Sequence, residues 1–128
     1  MEMPGGKETI LLVEDNTGVL SFARDALKLL GYRVMTASDG EEALERLKQE
    51  SESIRLVVTD VVMPGMSGRD LAAAVRQSYP AIKVLFTSGH DERQVSRHGV
   101  SRNRAFLAKP YSARQLARHV RDVLDGER

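Results

Sequence analysis

Three acidic residues, a threonine and a lysine carry the chemistry open to this chain, and each follows a short apolar run. Leu11-Leu12-Val13 leads into Glu14-Asp15, and Leu56-Val57-Val58-Thr59 into Asp60. Val84-Leu85-Phe86 leads into Thr87, and Phe106-Leu107-Ala108 into Lys109-Pro110. If the runs are neighbouring parallel strands, these polar groups meet at one edge of the sheet. Three crowded carboxylates repel, and their ionised forms are costly unless a cation joins them. Lys109 neutralises one charge. A hard divalent ion neutralises the rest, and Mg²⁺ fits, because it is usually held by one or two carboxylates together with phosphate oxygens. A carboxylate beside such an ion can attack a phosphoryl group and keep it as an acyl phosphate. Lys109 and the Thr87 hydroxyl are then placed to offset charge on the transferred oxygens.

Taken singly, each residue has a plainer reading. Asp15 could cap a helix, Asp60 could form an Asx turn, Thr87 could be an ordinary strand residue and Lys109-Pro110 an ordinary loop pair. What favours the joint reading is their recurrence at equivalent ends of successive runs. In open parallel sheets, ligands bind outside the carboxyl ends of the strands.

The elements that must position them alternate along the chain. Thr9 to Val13 reads as a strand, and Val19, Leu20, Ala23, Ala26, Leu27 and Leu30 repeat at helical spacing after it. Asn16 or Thr17 can cap that helix and Gly31 can end it. Arg33 to Ala37 is strand-like. A second helix, capped by Ser38 or Asp39, turns Ala43, Leu44 and Leu47 inward. Leu56 to Thr59 is a third strand, Pro64 to Gly68 a loop, and a helix follows from about Arg69 to Ser78. Lys83 to Thr87 and Ala105 to Ala108 are two more strands, and Ser112 to Leu124 is a last amphipathic helix. The stretch from Ser88 to Asn103 offers only Val95 and Val100 as anchors, so any helix there is expected to be short. Alternation of this kind predicts right-handed crossovers and a doubly wound five-stranded parallel sheet, an α/β fold.

The 128 residues suffice for one domain, and Cys is absent, which excludes disulfide scaffolds and thiolate metal sites. No apolar run approaches the roughly 20 residues of a membrane span, so no membrane insertion is expected, and a cytoplasmic location is. The net charge of +1 hides an asymmetry: residues 1–64 carry 7 Lys/Arg against 12 Asp/Glu, and residues 65–128 carry 12 against 6. The basic half includes Arg93, Arg97, Arg102, Arg104, Arg114, Arg118 and Arg121. Solvated helix faces account for most of this, and an acid-seeking partner surface is the sharper alternative. Direct nucleic-acid binding is not expected, since no aromatics interleave with the arginines. His90, His98 and His119 read as surface residues, because none lies in a phosphotransfer helix pattern.

With these motifs in hand, the chain resembles response-regulator receiver domains of two-component signalling. The resemblance runs through Ile10-Leu11-Leu12-Val13-Glu14-Asp15-Asn16, Thr59-Asp60-Val61-Val62-Met63-Pro64-Gly65-Met66-Ser67-Gly68, Val84-Leu85-Phe86-Thr87-Ser88-Gly89 and Phe106-Leu107-Ala108-Lys109-Pro110. It implies a flavodoxin/CheY-like (βα)5 fold with strand order 2-1-3-4-5 and 8–126 as the receiver domain, while Pro4-Gly5-Gly6 marks residues 1–7 as a flexible lead-in. It implies that Asp60 accepts the phosphoryl group. Glu14, Asp15, Asp60 and the Val62 backbone carbonyl would hold Mg²⁺. Thr87 and Lys109 would contact the phosphoryl group, Thr87 and Phe106 would form the conformational switch, and the Lys109–Pro110 bond would be cis. The partner implied is a histidine kinase or histidine phosphotransfer protein, with the 88–126 face as a surface for self-association. The motifs around Met63-Pro64-Gly65, Thr87-Ser88-Gly89 and Lys109-Pro110 resemble receivers fused to hybrid sensor histidine kinases. An excised receiver of that kind is preferred over a free single-domain regulator.

Such a domain is not a turnover enzyme on a separate substrate, although it catalyses its own phosphorylation and dephosphorylation. Two other classes remain. A Mg²⁺-dependent phosphohydrolase with an Asp nucleophile needs a substrate cap, for which no insertion is large enough. A degenerate receiver acting only as an interaction module is disfavoured by the full set of Glu14, Asp15, Asp60, Thr87 and Lys109.

Overall fold

The computed structural model of the chain describes residues 3–89 and 105–126. Its elements run β1 (Thr9–Val13), α1 (Thr17–Leu29), β2 (Arg33–Ala37), α2 (Gly40–Glu50), β3 (Ile54–Asp60), α3 (Gly68–Ser78), β4 (Lys83–Ser88), β5 (Phe106–Ala108) and α4 (Ala113–Asp125). All five strands pair in parallel in the order β2-β1-β3-β4-β5, as the resemblance implies. The irregular stretch from Ser88 to Asn103, where any helix is expected to be short, lies outside the described residues from 90 to 104.

Side chains alternate between the two faces of the sheet, and each face has its own core. Ile10, Leu12, Leu56, Val58, Leu85 and Leu107 pack with Ala23 and Leu27 of α1 and with Leu116, Val120 and Val123 of α4. Leu11, Val13 and Val57 pack with Ala43 and Leu47 of α2 and with Leu71 and Val75 of α3. The central strands therefore read as unbroken apolar runs because both faces are covered. Edge strand β2 has only Ala37 fully buried.

Helix starts follow the capping residues. Asn16, Asp39, Ser67 and Ser112 each accept a backbone N–H from the first turn, and Ser112 with Gln115 forms a reciprocal capping box. Gly31 has a φ of 104°, which suits a residue without a Cβ at the turn out of α1. β3 extends beyond its apolar run at both ends, and Asp60 belongs to the strand because it pairs with Thr87 in the β3–β4 ladder.

A polar clasp closes the end of the sheet where the strands begin. Arg121 of α4 donates to both Glu8 oxygens at 3.2 and 2.8 Å, to both Asp125 oxygens at 3.0 and 2.8 Å, and to the Gly5 carbonyl at 3.0 Å. The Gly6 amide also donates to the Leu30 carbonyl at 3.2 Å. The hydrogen bonds from Arg121 hold the Glu8 carboxyl below its ordinary 4.5, against the opposing effect of burial. A carboxyl depressed in the fold contributes stability above its unfolded value and loses it as pH falls through its folded value. Arg121→Gln is therefore expected to lower stability by about 1–2 kcal/mol at neutral pH, the range for charge-assisted bonds on a partly exposed pair. The gap from wild type should narrow as pH falls below 4.5. Urea unfolding curves across the acid range measure both.

Candidate functional site

The register places the strand ends level. Val13 pairs with Thr59, Asp60 with Thr87, and Ser88 with Ala108. Glu14 therefore lies one residue past β1, Asp60 at the last position of β3, Thr87 opposite Asp60, and Lys109 one residue past β5. Cross-bonds fix these ends: the Glu14 amide donates to Ala37 O at 3.1 Å, Val61 to Thr87 O at 2.9 Å and Lys109 to Ser88 O at 2.7 Å. The Lys109–Pro110 peptide is cis.

Carboxylate oxygens of Glu14, Asp15 and Asp60 lie within 4.8 Å of one another. Glu14 and Asp60 are only 3% and 7% exposed, whereas Asp15 faces solvent. The Lys109 ammonium bridges the buried pair, 3.0 Å from Glu14 Oε1 and 3.0 Å from Asp60 Oδ2. Glu14 Oε2 also accepts the Asn16 amide at 3.0 Å, and Asp60 Oδ1 lies 3.4 Å from the Val62 amide.

Burial raises the Glu14 carboxyl; the Asn16 amide and Lys109 counter it only in part, and the Asp60 charge adds to it. Burial works to lower Lys109, but its bonds to Asp60 and Glu14 outweigh that and the net shift is upward. Among the described residues, the pair of carboxylates thus leans on the Lys109 ammonium. Three hard oxygen donors with one exposed toward solvent are the kind of set that takes Mg²⁺, so the residues present fit the ion that the resemblance implies.

The structure thus brings Glu14, Asp15, Asp60, Thr87 and Lys109 to one edge. Phe106 is buried with Val61 and the partly buried Phe86, beside the Thr87 strand end. The Val62 side chain is 62% exposed above the loop. His119 stays on the α4 surface, its Nδ1–H donating to Gln115 O at 2.9 Å. His90 and His98, with Arg93, Arg97, Arg102 and Arg104, lie outside the described residues.

Sequence reasoning missed two neighbours of the site. Tyr111 packs against Phe22 of α1 with the rings tilted by 41° and their centroids 6.2 Å apart, and burial, ahead of the Glu14 charge, pushes its hydroxyl up to about 12. Its position two residues after Lys109 was the available signal. Gly68, read only as part of a loop, is the first residue of α3, and a Cβ there would collide with the Asp60 carbonyl oxygen and reach within 2.9 Å of Val61 Cα. Its amide donates to Val61 O at 2.8 Å. Gly68→Ala must push α3 away from the loop that follows Asp60. The expected loss is roughly 1–3 kcal/mol, as for an overpacked core site, visible as a lower urea midpoint with an unchanged slope.

Residues 10–121 match the family model of the response regulator receiver domain. The chain is 40% identical over 121 residues to part of the sensor kinase CckA of Brucella abortus, covering 94% of this chain and 13% of that protein. It is 34% identical over 116 residues to the response regulator receiver protein CpdR of the same organism, covering 90% of this chain and 95% of CpdR. Among solved structures, a response regulator receiver domain protein from Clostridium thermocellum superimposes with a TM-score of 0.81 at 26% identity, over 92% of this chain and 94% of that one. A family match across nearly the whole sheet and its acidic edge agrees with what the strand ends show by themselves: this chain belongs to the response regulator receiver domain family.

Proposed function

We propose that the chain is a phosphoacceptor of a two-component relay, taking a phosphoryl group from a phosphohistidine onto Asp60. The observation that carries this reading is the buried Glu14–Lys109–Asp60 arrangement beside the exposed Asp15. Glu14, Asp15, Asp60 and the Val62 carbonyl are the groups that would hold Mg²⁺. When bound, the ion neutralises the carboxylates and draws charge from the phosphoryl oxygens.

The chain's own groups do the rest. An Asp60 oxygen attacks the phosphorus, the P–N bond to the histidine breaks, and the imidazole leaves with the electron pair. Lys109 starts on Asp60 and turns to a phosphoryl oxygen as charge moves there. Thr87, opposite Asp60 in the ladder, offers its hydroxyl to the same group. Its inward movement opens room that the Phe106 ring fills, and this two-state element carries the signal outward. Phe106 has no hydroxyl to satisfy, so its inward rotation strands no polar group.

The donor is a histidine kinase or a histidine phosphotransfer protein, and the setting is cytoplasmic; no helix among the described residues is long and apolar enough to cross a membrane. The relatives include both a segment of a sensor kinase and a protein of nearly the same length as this chain. The hybrid-kinase setting is preferred on the motif resemblance, and the 88–126 face is the surface proposed for self-association.

Incubation with acetyl phosphate, followed by intact mass measurement, tests the reading. One phosphoryl adduct is expected with Mg²⁺ and none with a chelator. No adduct under either condition leaves an interaction module that has lost its chemistry, and rapid turnover of an unrelated phosphoester indicates a hydrolase instead.

A further inference from the structure

Asp60 stands where β3 loses its neighbour on one side. The β1–β3 pairing ends at Val13–Thr59, so the Asp60 carbonyl lies one residue beyond the last β1 partner, while the β4 side continues through Thr87. A buried carbonyl left without a donor is destabilising. Thr59 supplies that donor: its side-chain oxygen lies 3.0 Å from the Asp60 carbonyl oxygen, and the residue is 0% exposed. A hydroxyl has one proton to give. The other acceptor in reach, Met63 Sδ, is at 4.0 Å, so the carbonyl takes it.

The same peptide is held elsewhere too. Val61 N–H donates to Thr87 O at 2.9 Å, and Gly68 of α3 backs directly onto the Asp60 carbonyl. The 60–61 peptide is attached to Asp60 Cα, so holding its plane restrains the direction in which the Asp60 side chain leaves the strand. We propose that Thr59 is a positioning residue for phosphoryl acceptance, its buried hydroxyl locking the Asp60–Val61 peptide so that the Asp60 carboxylate is aimed before the donor arrives. This rests on the reading of Asp60 as acceptor.

Two substitutions separate this role from core filling. Thr59→Val keeps the β-branched shape and removes the donor. Thr59→Ser keeps the donor and removes a methyl group. A filler role ranks Val with or above the wild type and Ser below it. A positioning role ranks Ser with the wild type and Val below both. The reaction is transfer from acetyl phosphate with Mg²⁺: the P–O bond to acetate breaks, a P–O bond to Asp60 forms, and acetate leaves with the electron pair.

At saturating acetyl phosphate, Thr59→Val is expected to be about tenfold slower, the scale of a small misplacement of a reacting group, with its half-saturating concentration little changed. Thr59→Ser should stay within about threefold of the wild type, although it is the less stable protein. Without Mg²⁺, amide exchange at Val61 and Val62 should speed up in Thr59→Val and not in Thr59→Ser. Equal rates for Thr59→Val and the wild type, or a parallel fall in both variants, overturn the positioning role alone. A wild type that forms no adduct overturns the acceptor reading and the positioning role together.

Discussion

Asp60→Asn is expected to abolish the phosphoryl adduct while the protein stays folded. The amide has nearly the shape of the carboxylate and keeps an oxygen facing the Val62 amide, 3.4 Å away in the native site. What it lacks is the anionic oxygen that the proposed attack on phosphorus requires, and no geometric adjustment restores it. Glu14 is the next buried carboxylate, but Lys109 and the Asn16 amide already engage its two oxygens. The expected outcome is therefore loss of the adduct and not its relocation. Lys109 keeps Glu14 as a partner, so stability should change by no more than about 1 kcal/mol. Intact mass after acetyl phosphate treatment and a urea curve on the same sample check both halves. An adduct of undiminished yield in Asp60→Asn would falsify the assignment of the acceptor.

Lys109→Met is the variant expected to harm the fold most through the site. It leaves Glu14 and Asp60 buried and close, with the shared cation gone. Removing one partner of a buried ion pair typically costs about 3–5 kcal/mol; the partial exposure of Lys109 brings the expectation nearer 2–3 kcal/mol. The pH dependence has a definite sign. The Glu14 carboxyl is raised above 4.5 by burial even with Lys109 present, and Lys109 is one of the influences holding it down. A carboxyl raised in the fold binds its proton more tightly folded than unfolded, so stability rises as pH falls through that window. In Lys109→Met the window extends further upward, and the deficit relative to wild type should shrink on acidification from neutral pH toward 4.5. At the alkaline end the deficit shrinks again. The raised Lys109 contributes stability that is complete below 10.5 and fades as pH rises through its folded value, a decline the Met variant lacks. Urea midpoints from acid to alkaline pH, in chelator, test the whole profile. A deficit that stays constant with pH contradicts the account.

The sheet and its acidic edge were legible because both are written in short range. Apolar runs marked β1, β3 and β4, and the polar residue after each run marked a strand end. Asn16 and Ser112 announced their helices through side chains that bond within one turn. Thr59, Gly68 and Arg121 were not legible as they act in the structure. The Thr59 hydroxyl matters because β1 stops one residue short of Asp60, which depends on the relative register of two strands. Gly68 matters because α3 crosses directly over the Asp60 carbonyl, a closeness that no local pattern encodes. Arg121 meets Glu8 across 113 positions of sequence, and the ten arginines of residues 65–128 gave no sign of which one would do so.

The Arg121 clasp has a consequence for how this fold joins to other proteins. It ties Gly5 and Glu8 to Asp125, while Lys83, at the start of β4, donates to the carbonyls of Leu124 and Gly126 at 3.2 and 2.7 Å. Entry and exit of the chain are thus side by side, at the opposite rim from Glu14, Asp60 and Lys109. The fold is a plug-in cassette with both leads on its back. A neighbour spliced to either lead starts from the rear, leaving the acidic front edge uncovered.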